Sequence, residues 1–413
     1  MKILVVTAHY PPYHFGGYGI RIKNILDELS GRNCVIRILT TRPEKKISSD
    51  SQKTSYLIVR ELHNRNQARF FPKELWFDLL DTRLLERHIS KFNPDVIYLG
   101  HTYILSKALL PYLSRLNIPI IYDEGGSGLI EAWTEHGRWF RFTGNYQSRC
   151  AMLNLIKPLV IKAVCQLSGG RIKPQWSWPE KMKIFINSET NRRKVVTNEI
   201  PLKSIYVIHS GIDLEKFIFQ PRRIINYPVK IIVPGRIERR KGQIDAIHLI
   251  HSLIASGKEV CLIFAGEIIS DSYFDEINEV VSANSFTDYV RFLSMINQEK
   301  LIDLYHETDI CFFPSYQEIG FSRVPLEAMA CGCVVISYGN EGSDEVIRHR
   351  QNGFLAPAGD IQEVATLIEE MIAHPALIAN IQNAARQDIE SNYAMPKYVD
   401  QIESLLRTAV GEA

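Results

Sequence analysis

Short runs rich in Val, Ile and Phe recur along this chain, and between them lie longer stretches in which apolar residues return every three or four positions. The first kind reads as buried strand and the second as amphipathic helix. Their alternation over the whole length is the sequence form of parallel βαβ units. In the first half the strand-like runs are KILVVTA, CVIRILT, DVIYLG, IPIIYDE, KIFINS and SIYVIHS; in the second they are VKIIVPG, EVCLIFAG, DYVRFLS, DICFFPS and CVVISYG. Helical patterns such as GQIDAIHLIHSLIASG and DIQEVATLIEEMIAHP lie between them. The series restarts after the turn-rich HSGIDLEKFIFQPRRIINYP, so a domain boundary is expected there. The pattern predicts an α/β chain of two doubly wound Rossmann-like domains facing a cleft. They occupy residues 1–212 and 229–395, with a linker at 213–228 and a terminal helix at 396–413 that can pack back on the first domain.

At 413 residues and 46% hydrophobic content the chain can bury two real cores. A formal net charge of +2 argues against a general nucleic-acid binder. The seven cysteines show no metal-ligand spacing, and Cys331 and Cys333 are one residue apart rather than the two of a redox pair, so reduced thiols in a cytoplasm are expected. The opening MKILVVTAHYPP carries an apolar run too short for a signal-peptide core and reads as a first strand. The most membrane-like window, AMLNLIKPLVIKAVCQL, is interrupted by Lys157, Pro158 and Lys162, so any membrane role would be peripheral. One local bias stands out from the neutral total. Between Gly137 and Pro179 there are seven Lys and Arg and no Asp or Glu, interleaved with Trp139, Phe140, Phe142, Tyr146, Trp176 and Trp178. Cations mixed with aromatics suit the headgroup zone of an anionic membrane, and a cationic surface that merely packs its aromatics is the alternative. RNA binding is a weaker third reading, since no recognition module accompanies the segment.

Candidate chemistry sits where strands end. FPSYQEIGFSRVPLEAMACGC places Glu318 and Glu327 on either side of a glycine-containing turn between a strand and a helix, which is where open α/β sheets bind ligands. KIIVPGR runs into GRIERRKG and delivers Arg236 and Lys241 to a second such edge, where a forked guanidinium and a point-charge ammonium can share a diphosphate. Arg239 and Arg240 between them read as solvated. Glu327 can accept from two ribose hydroxyls or simply favour its helix N-terminus. Glu318 can orient a sugar hydroxyl, offset charge as a glycosidic bond loosens, or simply be solvated on its loop. PPYHFGGYGIRIKNILDEL follows the first strand, and its Gly16, Gly17 and Gly19 open a helix whose amides can face an anion or a hydroxyl, or only make a tight turn. His9, His14, His101 and His209 fall at or after strand ends. Asp123 and Glu124 end the strand IIYDE, as acceptor-polarising acids or as helix caps.

The GGYG turn, HSGIDLEKF, GRIERRKG and E…FSRVPLEAMACG, in this order and spacing, resemble the retaining glycosyltransferases of the large glycogen-synthase-like group, glycosyltransferase family 4, which have the GT-B fold. The resemblance covers essentially the whole chain and is strongest from His209 to Asp360. It implies a nucleotide-sugar donor held mainly by the second domain, with Arg236 and Lys241 on the diphosphate, Glu327 on the ribose, and Gly16, Gly17, Gly235, Ile319, Gly320, Phe321 and Ser322 lining the donor. It implies no divalent metal, no cofactor and a hydroxyl acceptor, glycan or lipid-linked, met by the first domain. The family spaces its two glutamates by seven residues, whereas eight separate Glu318 from Glu327, which puts Ile319 at the expected position. A one-residue bulge would restore the carboxylate. Many members carry a histidine where this chain has Gly125, so that role passes to Asp123, Glu124 or His101. The expected activity is metal-independent transfer in surface polysaccharide or glycolipid assembly, in the cytoplasm with peripheral attachment to an anionic membrane through residues 137–179. The alternative is a nucleotide-sugar-binding protein without turnover. Replacing Arg236 or Lys241 by Ala is expected to abolish most transfer with the fold intact.

Overall fold

The computed structural model describes residues 1–13, 16–43, 55–125, 128–134, 137–144, 151–176, 182–200, 202, 204–221, 227–318 and 320–412. Seven strands form the first sheet: β1 (Lys2–Thr7), β2 (Val35–Thr41), β3 (Leu57–Leu62), β4 (Val96–Leu99), β5 (Ile120–Glu124), β6 (Lys183–Ile186) and β7 (Ile205–Val207). Their order is β3-β2-β1-β4-β5-β6-β7, and every pairing is parallel. The second sheet uses β8 (Val229–Pro234), β9 (Val260–Ala265), β10 (Val290–Leu293), β11 (Ile310–Phe313), β12 (Val334–Ser337) and β13 (Phe354–Leu355). It runs β10-β9-β8-β11-β12-β13, again all parallel.

Strands buried on both faces explain the continuous apolar runs. Along β8, Val229, Ile231 and Val233 enter one core, while Ile232 between them enters the other. The helices Gln243–Ala255, Asp271–Ala283 and Ile361–Ala373 close the first of these cores. Gln298–Glu307, Val324–Cys331 and Pro375–Asn392 close the second. Helices on both sides of a parallel sheet make this a doubly wound, Rossmann-like unit. The first sheet has its own core, in which Leu4, Val6, Ile97, Leu99, Tyr122 and Ile184 pack.

Met1–Asn187, Asn191–Ile208 and Val399–Ala413 form one unit, and Ser188–Thr190 with His209–Tyr398 form the other. Of the stretch 213–228, expected as a linker, the described residues 213–221 and 227–228 group with the second unit, and Phe217 is fully buried in its core. The terminal Val399–Ala413 counts with the first unit, where Arg32 pairs with Asp400 at 2.5 Å and with Glu403 at 3.0 Å. Two strands absent from the sequence reading, β3 and β13, are both sheet edges. An edge strand buries less of itself, as the mostly half-buried β3 shows, and so carries a weaker apolar signature.

Candidate functional site

In the second unit, β8 ends at Pro234 and the chain turns through Gly235, whose φ of 137° suits glycine. The basic turn that follows is fastened at several points. Gln243 Nε2 donates to the Arg236 carbonyl at 2.8 Å, and the Tyr316 amide donates to the Arg240 carbonyl at 2.9 Å. Gly242 ends the turn at φ 68°, where a Cβ would lie 2.2 Å from the Pro314 carbonyl oxygen, so only glycine lets the turn reach the chain leaving β11.

The turn sets each of its cations against a carboxylate. Lys241 Nζ lies 2.5 Å from Glu341 Oε1, and Ser315 Oγ donates to the same oxygen at 2.8 Å. Arg236 is half exposed, with Nη2 3.2 Å from Glu238, a carboxylate that also takes Arg240 Nε at 2.9 Å. Arg239 points to Glu276 at the surface, as a solvated cation would.

Glu341 and Glu345 organise the turn after β11. The Glu341 amide donates to the Gln317 carbonyl at 3.1 Å and its carbonyl accepts from the Ser322 amide at 2.9 Å, clipping both ends of the turn. Ser188 Oγ donates to the Gly320 carbonyl at 3.0 Å. The Phe321 ring lies 5.2 Å from the His209 ring, whose Nε2 is 2.7 Å from the Glu345 carboxylate. Burial alone would push that carboxyl up. The hydrogen bonds from His209 and from the Glu189 and Thr190 amides outweigh it, so Glu345 titrates below the usual range.

Glu327 does not cap its helix. Its carboxylate is buried between Arg323, 3.3 Å away, and Tyr305, whose hydroxyl stands at 3.5 Å. Burial raises its carboxyl, with Arg323 and Tyr305 opposing. Arg323 Nε is buried and has no hydrogen-bond partner among the described residues. Glu318 is exposed on the same turn. Ile319, the expected position of the first family glutamate, lies outside the described residues, and so does His14.

The first unit corrects the reading of Asp123. This side chain is buried, and Arg21 Nη2 donates to it at 2.6 Å, Tyr98 at 2.6 Å and Tyr18 at 3.3 Å. With its oxygens committed to three donors it cannot polarise an acceptor; it braces the helix Gly16–Gly31 against β4 and β5. Glu124 accepts from the Leu129 amide at 2.8 Å and caps the helix Gly128–Thr134, the plainer of its two readings. Tyr18 also explains the missing histidine: a Cβ on Gly125 would lie 2.8 Å from its ring, and one on Gly100 equally close to its hydroxyl. His101 remains at the end of β4, its ring 5.2 Å from that of Tyr18 and 6.3 Å from that of His9. Burial, with help from His9 and Arg21, pushes the His101 ring down to about 4, so it is neutral at pH 7. Gly17, exposed, opens the helix that Gly16 begins.

Among the described residues, no group of three or more His, Cys, Asp and Glu side chains could hold a metal ion. Sequence reasoning missed Glu341, Glu345, Tyr18 and Arg21. The acidic run NEGSDE was a signal for the first two, but nothing in it said which acid meets Lys241.

Comparison with known proteins agrees with this architecture. The family profile described as Glycosyltransferase Family 4 matches residues 15–216, and that described as Glycosyl transferases group 1 matches residues 215–388. A glycogen synthase of Mycobacterium tuberculosis is 23% identical over 408 residues, which is 95% of this chain and 91% of that protein. A glycosyltransferase structure from Rickettsia africae superposes with a TM-score of 0.73 at 16% identity, covering 100% of this chain and 99% of that one. The structure of Anabaena HepE in complex with UDP-glucose gives 0.69 at 17% identity, covering 99% and 100%. With adjoining profiles that reach from residue 15 to residue 388 and two Rossmann-like units, the chain belongs to the group 1, family 4 glycosyltransferases of GT-B fold.

Proposed function

We propose that this protein is a retaining glycosyltransferase that moves a sugar from a nucleoside-diphosphate sugar to a hydroxyl acceptor without a divalent metal. The observation that carries this reading is the Lys241 ammonium, held in a nearly buried pair at the carboxyl ends of β8 and β11. A charge fixed there before the donor arrives stabilises the negative charge that grows on a departing diphosphate. Arg236, from the same turn and half exposed, supplies a second such charge with a forked geometry. HepE, a relative in fold, binds UDP-glucose, which supports a nucleotide-sugar donor.

In this mechanism the bond from the anomeric carbon to the diphosphate oxygen breaks first. The acceptor oxygen bonds the same face of that carbon, and the leaving diphosphate takes the acceptor proton, so configuration is retained. Glu327 holds the ribose, with Arg323 and Tyr305 fixing its carboxylate. The turn Gly320–Ser322 lines the donor. Acceptor binding is assigned to the first unit, with neutral His101 as its hydrogen-bonding group. The acceptor is a glycan or lipid-linked sugar of surface polysaccharide or glycolipid assembly, and the enzyme works in the cytoplasm against a membrane.

One observation favours the competing reading of a binder without turnover: the commitment of Asp123 to Arg21, Tyr98 and Tyr18 removes one candidate catalytic acid. Incubation with UDP-, GDP- and ADP-sugars separates the two. A transferase stabilised by one donor also releases its nucleoside diphosphate slowly to water. Saturable binding with no release over a long incubation would establish the binder instead.

A further inference from the structure

The helix Ala151–Leu167 is apolar on two opposite faces. On one, Val164 with Val160 and Ile161 packs against Trp139, Phe140 and Ile172 in a small core of the first unit. On the other, Leu155 is 78% exposed, Leu159 69% and Leu167 75%, with Ile156 beside them. Leu155, Leu159, Ala163 and Leu167 recur every four residues, so they form one stripe. A surface helix ordinarily turns its polar residues outward, and a contiguous exposed apolar stripe marks an interaction site.

The charge around the stripe narrows the partner. Lys162 is exposed on the same side of the helix, and Arg141 and Lys173 are exposed in the flanking segments. No acid occurs from Gly137 to Trp176. The acids that reach the segment from the helix Phe71–Phe92, Glu74 and Glu86, are occupied by Arg138 at 3.2 Å and Arg171 at 2.9 Å. A partner must therefore be apolar where the leucines enter and anionic around them. A second copy of this chain fits poorly, because a two-fold contact of stripe on stripe sets Lys162 and its neighbours against identical cations. An anionic lipid surface meets both demands at once.

We propose that the outer face of this helix docks the protein on an anionic bilayer, the helix lying in the headgroup zone with its leucines in the acyl boundary and Lys162, Arg141 and Lys173 on lipid phosphates. The helix lies on the membrane and does not cross it: its 17 residues span about 25 Å and Lys157, Pro158 and Lys162 interrupt it. This rests on the transferase reading only for its purpose, which is to bring the enzyme to a lipid-linked acceptor.

Co-sedimentation with vesicles, without donor or acceptor, tests docking apart from transfer. The protein binds mixed phosphatidylcholine and phosphatidylglycerol vesicles at low salt, and binds less as salt rises. Leu155→Ser/Leu159→Ser/Leu167→Ser lowers partitioning at least about tenfold, and Lys162→Ala about fivefold, the fold-change of one interfacial cation. Thermal midpoints stay unchanged, since these side chains are already in water. The proposal is overturned if the wild type stays in the supernatant at low salt, or if the triple variant binds as the wild type does. It is overturned equally if the wild type is a dimer that the triple variant makes monomeric while neither binds vesicles.

Discussion

Lys241→Met, which leaves Glu341 in place, is the most informative single change. The sequence suggests that losing Lys241 spares the fold, and the structure says otherwise. Glu341 is 7% exposed and Lys241 15%, so removing the ammonium strands a carboxylate that has little water and, among the described residues, only Ser315 Oγ as a remaining side-chain donor. Stranding a fully buried charge costs about 3–5 kcal/mol; the residual exposure and the serine reduce this to about 2–3 kcal/mol. For a unit of this size that is a fall in thermal midpoint of about 5–10 °C. Lys241→Met/Glu341→Gln removes both charges and should recover to within about 1 kcal/mol of the wild type. Glu341→Gln alone frees the ammonium for a diphosphate and tightens nucleoside-diphosphate binding by up to about tenfold, whereas Lys241→Met weakens it by about tenfold or more. Thermal melts of the four proteins, with titration calorimetry against UDP, GDP and ADP, give both readouts. The reasoning fails if the double variant is as unstable as Lys241→Met, or if Lys241→Met binds every diphosphate as the wild type does.

Arg236→Ala should lower turnover by about 10²-fold while moving the melting midpoint little, because the side chain is half exposed and Glu238 keeps Arg240; unchanged turnover would remove Arg236 from the site. Burial pushes the Asp78 carboxyl up to about 8, with the Ser106 hydrogen bond opposing and Glu74 and Asp81 adding to the rise. Its folded value thus lies above its unfolded one, so its contribution to stability is complete below about pH 4 and is lost as pH rises towards 8. The wild-type melting midpoint should therefore fall more steeply between pH 5 and 8 than that of Asp78→Asn, and parallel profiles would contradict the assignment. Gly242→Ala should cost more than about 1 kcal/mol in urea unfolding, since φ is 68° and the new Cβ meets the Pro314 carbonyl; it should also weaken diphosphate binding by displacing the turn.

The chain's own pattern determined the alternation of strands and helices, the strand-end turns after β8 and β11, and the cations Arg236 and Lys241 on the first of them. These are local properties: runs buried on both faces and glycines at tight turns leave their mark within a few residues. The tertiary structure alone decided which charges meet. Glu341 stands 100 residues from Lys241, and Arg21 stands 102 from Asp123, so no spacing rule links them. Burial was equally hidden, because IIYDE reads alike whether its Asp faces solvent or, as here, the hydroxyls of Tyr98 and Tyr18. The same holds for the helix Ala151–Leu167, which the sequence offered only as an interrupted apolar window; the packing of Val164 inward on Trp139 showed that Leu155, Leu159 and Leu167 are left facing out. A residue's environment depends on which distant segments the fold brings beside it, and that is a property of packing rather than of sequence order.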